Sequence, residues 1–421
     1  MLSATTLVVA TMIGTGVFTT SGFTLADLQS PWLVLTAWVL GGIIATLGAL
    51  SYGALARRLP ESGGEYLFLS RTLHPAAGYI AGWISFFAGF SAPLAASAIA
   101  FGQHSRAWWP DLPQLWTATA LVVACAALHA VSVRRGMWLH NAAVLLKLLV
   151  IAIFIATAAS HFPGRDPLPP TPSPHASFPW TAFAVSLIWI SFSYAGWNAA
   201  VYVGGEVRQP ERNLPRALLL GTGLVTAIYL ALNAVFVFSA PVPELAGQLD
   251  IGVVSARALG GETLAQFVAG LISLVLIAHI SGMTMAGPRV YARMAADGYL
   301  PRVLAPVEGP PRVAILLQTV ATLIMLWLAA YDRLLTYIGF TLSLSTAATV
   351  AGLMILRRRE GPSFRVPGWP WVPSLFLVLT LAVAAFSALR RPGESLAGLA
   401  VLAFGWAAWA LTRRRTAPPT P

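Results

Sequence analysis

Charge is scarce in this chain. Only 10% of its 421 residues are Asp, Glu, Lys or Arg, against about 25% in soluble domains, and 57% are hydrophobic. That excludes a water-soluble globular domain. Cysteine occurs once, as Cys125 inside an apolar run, which excludes an intramolecular disulfide and any cysteine-based metal spacing. Lysine also occurs once, as Lys147; every other cationic residue is arginine. No Asp or Glu lies deep within an apolar run. Sustained period-2 alternation is missing, which excludes an outer-membrane barrel. No Walker-type loop, metal-ligand cluster or nucleophile–base arrangement is present. ATP-driven transport and hydrolytic catalysis are therefore unsupported, and no cofactor or metal is expected.

What remains is a series of apolar runs near the ~20 residues that a bilayer-crossing helix needs. Twelve are expected, over 3–27, 32–56, 76–101, 114–133, 138–160, 181–205, 215–239, 263–286, 313–330, 334–356, 372–389 and 395–412. The fold class is an all-α integral membrane protein of twelve transmembrane helices. With the amino terminus inside, nineteen arginines fall in segments on that side and six on the other. This asymmetry follows the positive-inside rule and puts both termini in the cytoplasm. The net charge of +11 thus encodes topology and gives no reason to expect nucleic acid. The first run has no basic segment before it and no cleavage site after it, so a retained helix is expected rather than a signal peptide. Residues 161–180, proline-rich from Pro163 to Pro174, are expected to form an extended external loop.

Two runs carry interruptions that a plain membrane anchor does not need. The first holds Ile13-Gly14-Thr15-Gly16-Val17 near its centre and the sixth holds Phe192-Ser193-Tyr194-Ala195-Gly196-Trp197-Asn198. A lone glycine pair in a span is ordinarily a helix-packing device. Here the breaks fall in the first and sixth runs, each opening a set of five, and such matched interruptions point to a transporter site. Freed N–H groups at a half-helix amino end attract a carboxylate, and freed carbonyls at a carboxyl end attract an ammonium. An α-amino acid offers both. Lys147 lies mid-run, where an ammonium is costly and faces a bundle interior or an aqueous path. With no carboxylate deep within any run, it is satisfied by backbone, hydroxyl or water, or it releases its proton.

Several segments together resemble the amino acid–polyamine–organocation superfamily, and within it the L-type amino acid transporter-like permeases. They are Met12 to Phe18, Pro60-Glu61-Ser62-Gly63-Gly64-Glu65-Tyr66, Phe192 to Asn198 running on to Arg216, Arg289 to Pro301, and Arg365-Val366-Pro367-Gly368-Trp369-Pro370. The resemblance implies the leucine-transporter-like fold, a 5+5 inverted repeat with broken helices 1 and 6 and two further helices. Its parts would be residues 1–160, the external loop 161–180, a second repeat 181–356, and helices 11–12 with a tail over 357–421. It implies a substrate-binding stretch from Ile13 to Val17, in which Gly14, Thr15 and Gly16 hold the substrate carboxylate while Met12 and Ile13 provide the terminal carbonyls of the first half-helix. The carbonyls of Phe192, Ser193 and Ala195 would take the ammonium, with the Phe192 ring as a lid and Trp197 and Asn198 shaping the break. Lys147 matches a fifth-helix lysine that stands where sodium-coupled relatives hold the ion, either as a fixed cation or as a proton carrier. His279 or Ser281 would face it from the eighth helix.

The expected function is a sodium-independent carrier of neutral amino acids in a bacterial inner membrane, as exchanger or proton-linked permease. Its expected partners are the amino acid and the bilayer. The external loop Gly102–Pro113 lacks the cysteine that links animal relatives to a glycoprotein, so no disulfide-linked subunit and a monomer are expected. The cytoplasmic tail common before the first helix is expected to be absent. An amine or polyamine carrier is the alternative, disfavoured because it would want a carboxylate in the pocket and none is expected near either break; an exporter is another. A channel or sensor would show charged rings or a soluble module. Glu206 is expected in a gate or loop ion pair, Arg289, Arg293 and Asp297 at a helix end held by ion pairs, and Tyr66 in a short interfacial helix. The third run's Trp83, Phe86, Phe87 and Phe90 are read as packing, with pocket lining the alternative.

Overall fold

The computed structural model describes residues 1–106, 109–131, 133–161, 178–305 and 309–413, and every regular element among them is helical. In chain order, α1 (Leu2–Met12) and α2 (Gly16–Leu28) form an interrupted first segment, and α3 (Pro31–Arg58) the second. A short helix, α4 (Gly64–Thr72), leads to α5 (Pro75–Ile84), which passes through a π-helical stretch, Ser85–Ser91, into α6 (Ala92–Ser105). Then come α7 (Gln114–Val131), α8 (Val133–His161) and α9 (Trp180–Tyr194), which gives way to a 3₁₀ segment, Ala199–Glu206. The chain continues through α10 (Pro210–Phe238), α11 (Val242–Leu245), α12 (Ile251–Ala296), α13 (Arg312–Leu328), α14 (Tyr331–Glu360), α15 (Trp371–Arg390) and α16 (Pro392–Arg413). Among the described residues, ten segments are long and apolar enough to cross a bilayer. Two shorter apolar helices, Val144–Ser160 and Arg312–Leu328, stand at the fifth and ninth expected positions. Residues 162–177 of the expected external loop, Arg414 and Arg415, and the side chains of Arg134, Arg135 and Glu206 lie outside the described residues.

The helix ends follow local chemistry. Ser30 accepts from the Leu33 amide at 3.5 Å to cap α3, and Pro31 takes the first turn, where its missing N–H is no loss. His74 Nδ1 caps α5 in the same way, 3.1 Å from the Ala76 amide, ahead of Pro75. Arg57 and Arg58 close α3, and Arg357, Arg358 and Arg359 close α14, cations at the negative end of each helix dipole.

Two features depart from the expected spans. The third carries the π-helical stretch, because Pro93 has no amide to offer the carbonyl four residues back and the ladder must shift around it. The eighth grows into the 46-residue α12, bent at Gly260 and Gly261, since an extra helical segment beginning at Ile251 precedes the apolar run. Tyr66 does lie on a short helix, α4.

At the centre, α3, α9 and α10 meet through aromatic rings. Trp38 lies 5.3 Å from Tyr229 and 5.7 Å from Tyr194, and the two tyrosine rings are 5.1 Å apart. The two interrupted segments cross at Gly16. A Cβ placed there would lie 2.4 Å from Ser193 Oγ and 2.7 Å from Ser193 Cα. Close helix approach in membranes depends on such small residues. Gly16→Val should therefore destabilise the protein by about 1–3 kcal/mol through overpacking, read as a lower melting temperature in detergent. An unchanged melting temperature would mean that the two segments do not touch here.

Candidate functional site

The first interruption leaves the carboxyl end of α1 without helical partners, and the rest of the bundle supplies donors. α1 stops at Met12, the chain crosses Ile13, Gly14 and Thr15, and α2 starts at Gly16. The last carbonyls of a helix have no partner within it and carry the negative end of its dipole. Lys147, fully buried on α8, donates to the carbonyls of Ala10 at 2.8 Å and Ile13 at 2.9 Å. Among the described residues no carboxylate pairs with it. The Gly14 amide donates to Met12 O at 2.8 Å. The Tyr229 hydroxyl, on α10, lies 2.6 Å from the same oxygen and 2.9 Å from Ser193 O, its one proton shared between the two breaks.

The second interruption follows Tyr194. Ala195 turns back to Phe192 O at 2.9 Å, and Ala199 N reaches Gly196 O at 2.9 Å. Thr11 on α1 also donates to Gly196 O, at 3.1 Å. The two breaks are thus hydrogen-bonded to each other from both sides, through Thr11 and through Tyr229.

Between them lies a cavity of about 510 Å³. Gly14, Thr15, Gly16, Phe192, Ser193, Ala195, Trp197, Asn198 and His279 all line it. Phe90 also lines it, while Trp83, Phe86 and Phe87 pack on one another. Ile13 and Val17 are fully buried away from it; the Ile13 carbonyl is spent on Lys147. Ser193 turns its hydroxyl to Thr20, 2.8 Å away, and to Trp189 O. Trp197 packs edge-on against Tyr52 at 4.7 Å. Of the two eighth-helix candidates, His279 lays its ring on the first break, where a Cβ at Gly14 would meet Cε1 at 2.9 Å. Ser281 bonds instead to His129 on α7, at 2.8 Å.

The cavity runs to the surface on the side of the chain's start, past Ser3, Ser62 and Arg293. There Arg293 pairs with Asp297 at 3.0 Å, and Tyr66 donates to the same carboxylate at 2.8 Å; Arg289 donates to the Met285 carbonyl at 3.4 Å and is in no ion pair among the described residues. The opposite end is sealed. The Tyr331 hydroxyl bonds to Thr15 and, at 2.8 Å, to Thr19. Phe23 packs on Trp189 at 5.7 Å, and Gly247 N bonds to Gly22 O at 2.8 Å.

One expectation needs correcting: a carboxylate does stand beside the sixth-segment break. Glu65, on α4, is 2% exposed. Its Oε1 accepts from Tyr52 at 2.8 Å and Asn198 at 3.0 Å, and its Oε2 from Ser345. Burial raises its carboxyl above the ordinary carboxylate range, and the bonds from Ser345, Tyr52 and Asn198 draw it back. Sequence reasoning missed Glu65, whose partners are far away along the chain. It also missed Tyr229 and Tyr331. For Tyr229 a signal existed, since tyrosine in spans favours the interfaces and this one sits mid-run.

Replacing the lone lysine tests its role as the donor to the first break. Lys147→Met keeps length and apolar bulk but leaves the Ala10 and Ile13 carbonyls without it. An acceptor stranded in this way costs about 1–3 kcal/mol, so the melting temperature should fall clearly. A melting temperature equal to the parent's would show that those carbonyls find other donors.

The amino acid permease family model matches residues 1–408. The chain is 26% identical to the mouse (Mus musculus) Asc-type amino acid transporter 1 over 96% of its own length and 79% of that protein. It is 26% identical to the human (Homo sapiens) large neutral amino acids transporter small subunit 2, over 96% of this chain and 78% of that one. It is also 26% identical to the serine/threonine exchanger SteT of Bacillus subtilis (strain 168), over 89% of this chain and 87% of the relative. The chain belongs to the amino acid permease family, a multi-pass membrane transporter of the amino acid–polyamine–organocation superfamily.

Proposed function

We propose that this permease carries neutral L-amino acids across the cytoplasmic membrane by alternating access, without sodium, as an exchanger or a proton-linked carrier. The observation that carries the reading is the Lys147 ammonium held on the carbonyls of Ala10 and Ile13. It supplies a fixed cation at the first break, where the resemblance implies an ion in sodium-coupled relatives. The substrate carboxylate meets the amino end of α2 at Gly14, Thr15 and Gly16, where the positive end of the helix dipole favours an anion. Its ammonium meets carbonyls of Phe192, Ser193 and Ala195, under the Phe192 ring. Trp197 and Asn198 hold the shape of the second break, and His279 borders the carboxylate end.

The twelve expected spans, the repeats 1–160 and 181–356, the loop 161–180 and the closing segment 357–421 belong to the same proposal. So do cytoplasmic termini, a bacterial inner membrane and a monomer; Cys125 is buried in α7 and offers no link to a subunit. The similarity to the Bacillus serine/threonine exchanger supports exchange as the mode. The amine-carrier alternative gains a carboxylate in Glu65, but that group is enclosed by three donors, so a neutral substrate is favoured.

Purified protein in liposomes preloaded with single neutral L-amino acids should show saturable counterflow that is unchanged when choline replaces sodium. A steep sodium requirement would contradict the internal-cation role of Lys147. Ion conductance without saturable counterflow would mean a channel.

A further inference from the structure

The segment Ser62-Gly63-Gly64-Glu65 looks like a surface turn, yet it delivers a carboxylate into the bundle. Gly63 and Gly64 have φ of 139° and 56°, a left-handed region that glycine enters without strain. A Cβ at Gly64 would also lie 2.3 Å from the Tyr202 ring. The glycine pair therefore presses the backbone against the segment that follows the sixth-segment break and aims Glu65 inward. The arginines nearby are engaged elsewhere, Arg58 with Glu360 and Arg293 with Asp297.

Glu65 gathers donors from three separate elements: Tyr52 of α3, Asn198 of the break and Ser345 of α14. An ionised carboxylate accepts up to about four hydrogen bonds, so it joins all three at once. From this geometry we infer that Glu65 is a positioning residue: through Asn198 it registers the 3₁₀ segment Ala199–Glu206 against α3 and α14, and so favours the arrangement seen here, open beside Ser62 and sealed at Tyr331. A bond present in one arrangement and absent from the others shifts the population toward the first. The role lies in the oxygen's place and not in its charge. Tyr52 and Asn198 share Oε1, so an amide oxygen in that position keeps both, while the amide nitrogen donates to the Ser345 hydroxyl.

The inference rests on the alternating-access reading for its consequences in transport, but its first test does not. Val203 lines the cavity within the 3₁₀ segment and is half-buried. In a Cys125→Ser background, Val203→Cys is labelled with a polar maleimide in purified, detergent-solubilised protein. Glu65→Ala should slow labelling by at least about threefold as the open arrangement loses population, and Glu65→Gln should restore most of the rate. Tyr52→Phe, which removes one donor and keeps the ring, should slow it in the same direction, and it decides the matter should Glu65→Ala not fold. In liposomes, without the reporter cysteine, Glu65→Ala should lower the maximal counterflow of L-serine, L-alanine or L-leucine by at least about tenfold, the scale expected when the bonds from Tyr52, Asn198 and Ser345 are lost together, with KM little changed. Labelling that is unaltered in Glu65→Ala, or in Tyr52→Phe where only that variant folds, overturns the inference. So does Glu65→Gln labelling as slowly as Glu65→Ala, which would make the charge the active property. If the parent protein moves none of the three amino acids, the transport reading fails while the labelling result still decides this one.

Discussion

A membrane helix cannot stop midway without stranding backbone groups where no water can reach them, and the rest of this protein is arranged around that constraint. The first interruption frees carbonyls at the end of α1, and their donors come from well-separated parts of the chain. Lys147 bonds to Ala10 and Ile13, while Tyr229 reaches Met12. Tyr229 also reaches Ser193, and Thr11 reaches Gly196. The donors that satisfy one break thus fix its position relative to the other. The site is held in register by a few side chains: removing Lys147 or Tyr229 takes a donor from the carbonyls of Ala10 and Ile13 or of Ser193, and removing Thr11 loosens the crossing of the two breaks.

The same arrangement divides polarity across the first break. Carbonyls on the α1 side are taken by Lys147 and Tyr229, while Gly14, Thr15 and Gly16 line the cavity. On the proposed reading the cavity therefore keeps the anion-seeking end of α2. Thr15 belongs to the lining and also to the seal, through its bond to Tyr331. Occupancy of the cavity and closure of its far end consequently meet at one hydroxyl, and a ligand that engages Thr15 competes directly with the seal.

Features written locally were legible in the sequence. The interruptions announced themselves as glycines flanked by long apolar runs, and Lys147 by being the one lysine in a chain of arginines. The third and eighth spans were legible as apolar runs, but their irregularities were not. The π-helical stretch depends on how the ladder adjusts around Pro93, and the bend at Gly260 and Gly261 on an extra helical segment that hydropathy does not separate from its span. Glu65 was the least legible. Its donors lie 13, 133 and 280 residues away, and nothing in local periodicity tells a solvated acid from one folded inward by a glycine turn. Ser281 shows the same limit: spacing put it on the right helix, but only packing decides that it meets His129 and not the lysine.

Two ionisable groups flank the breaks, and among the described residues neither is paired with the other. The ammonium of Lys147 is taken up by peptide carbonyls, and the carboxylate of Glu65 by two hydroxyls and an amide. Burying a charge is costly unless fixed dipoles replace its hydration, and both sites do this with neutral groups. A cationic ligand between the breaks would meet a carboxylate whose donors already enclose it; an anionic one would meet an ammonium facing away, into α1. On the proposed reading a ligand meets the amino end of α2 at one break and the backbone from Phe192 to Ala195 at the other. Such a surface matches a molecule with opposite charges a few bonds apart and no net charge, which favours a zwitterionic neutral amino acid over a polyamine.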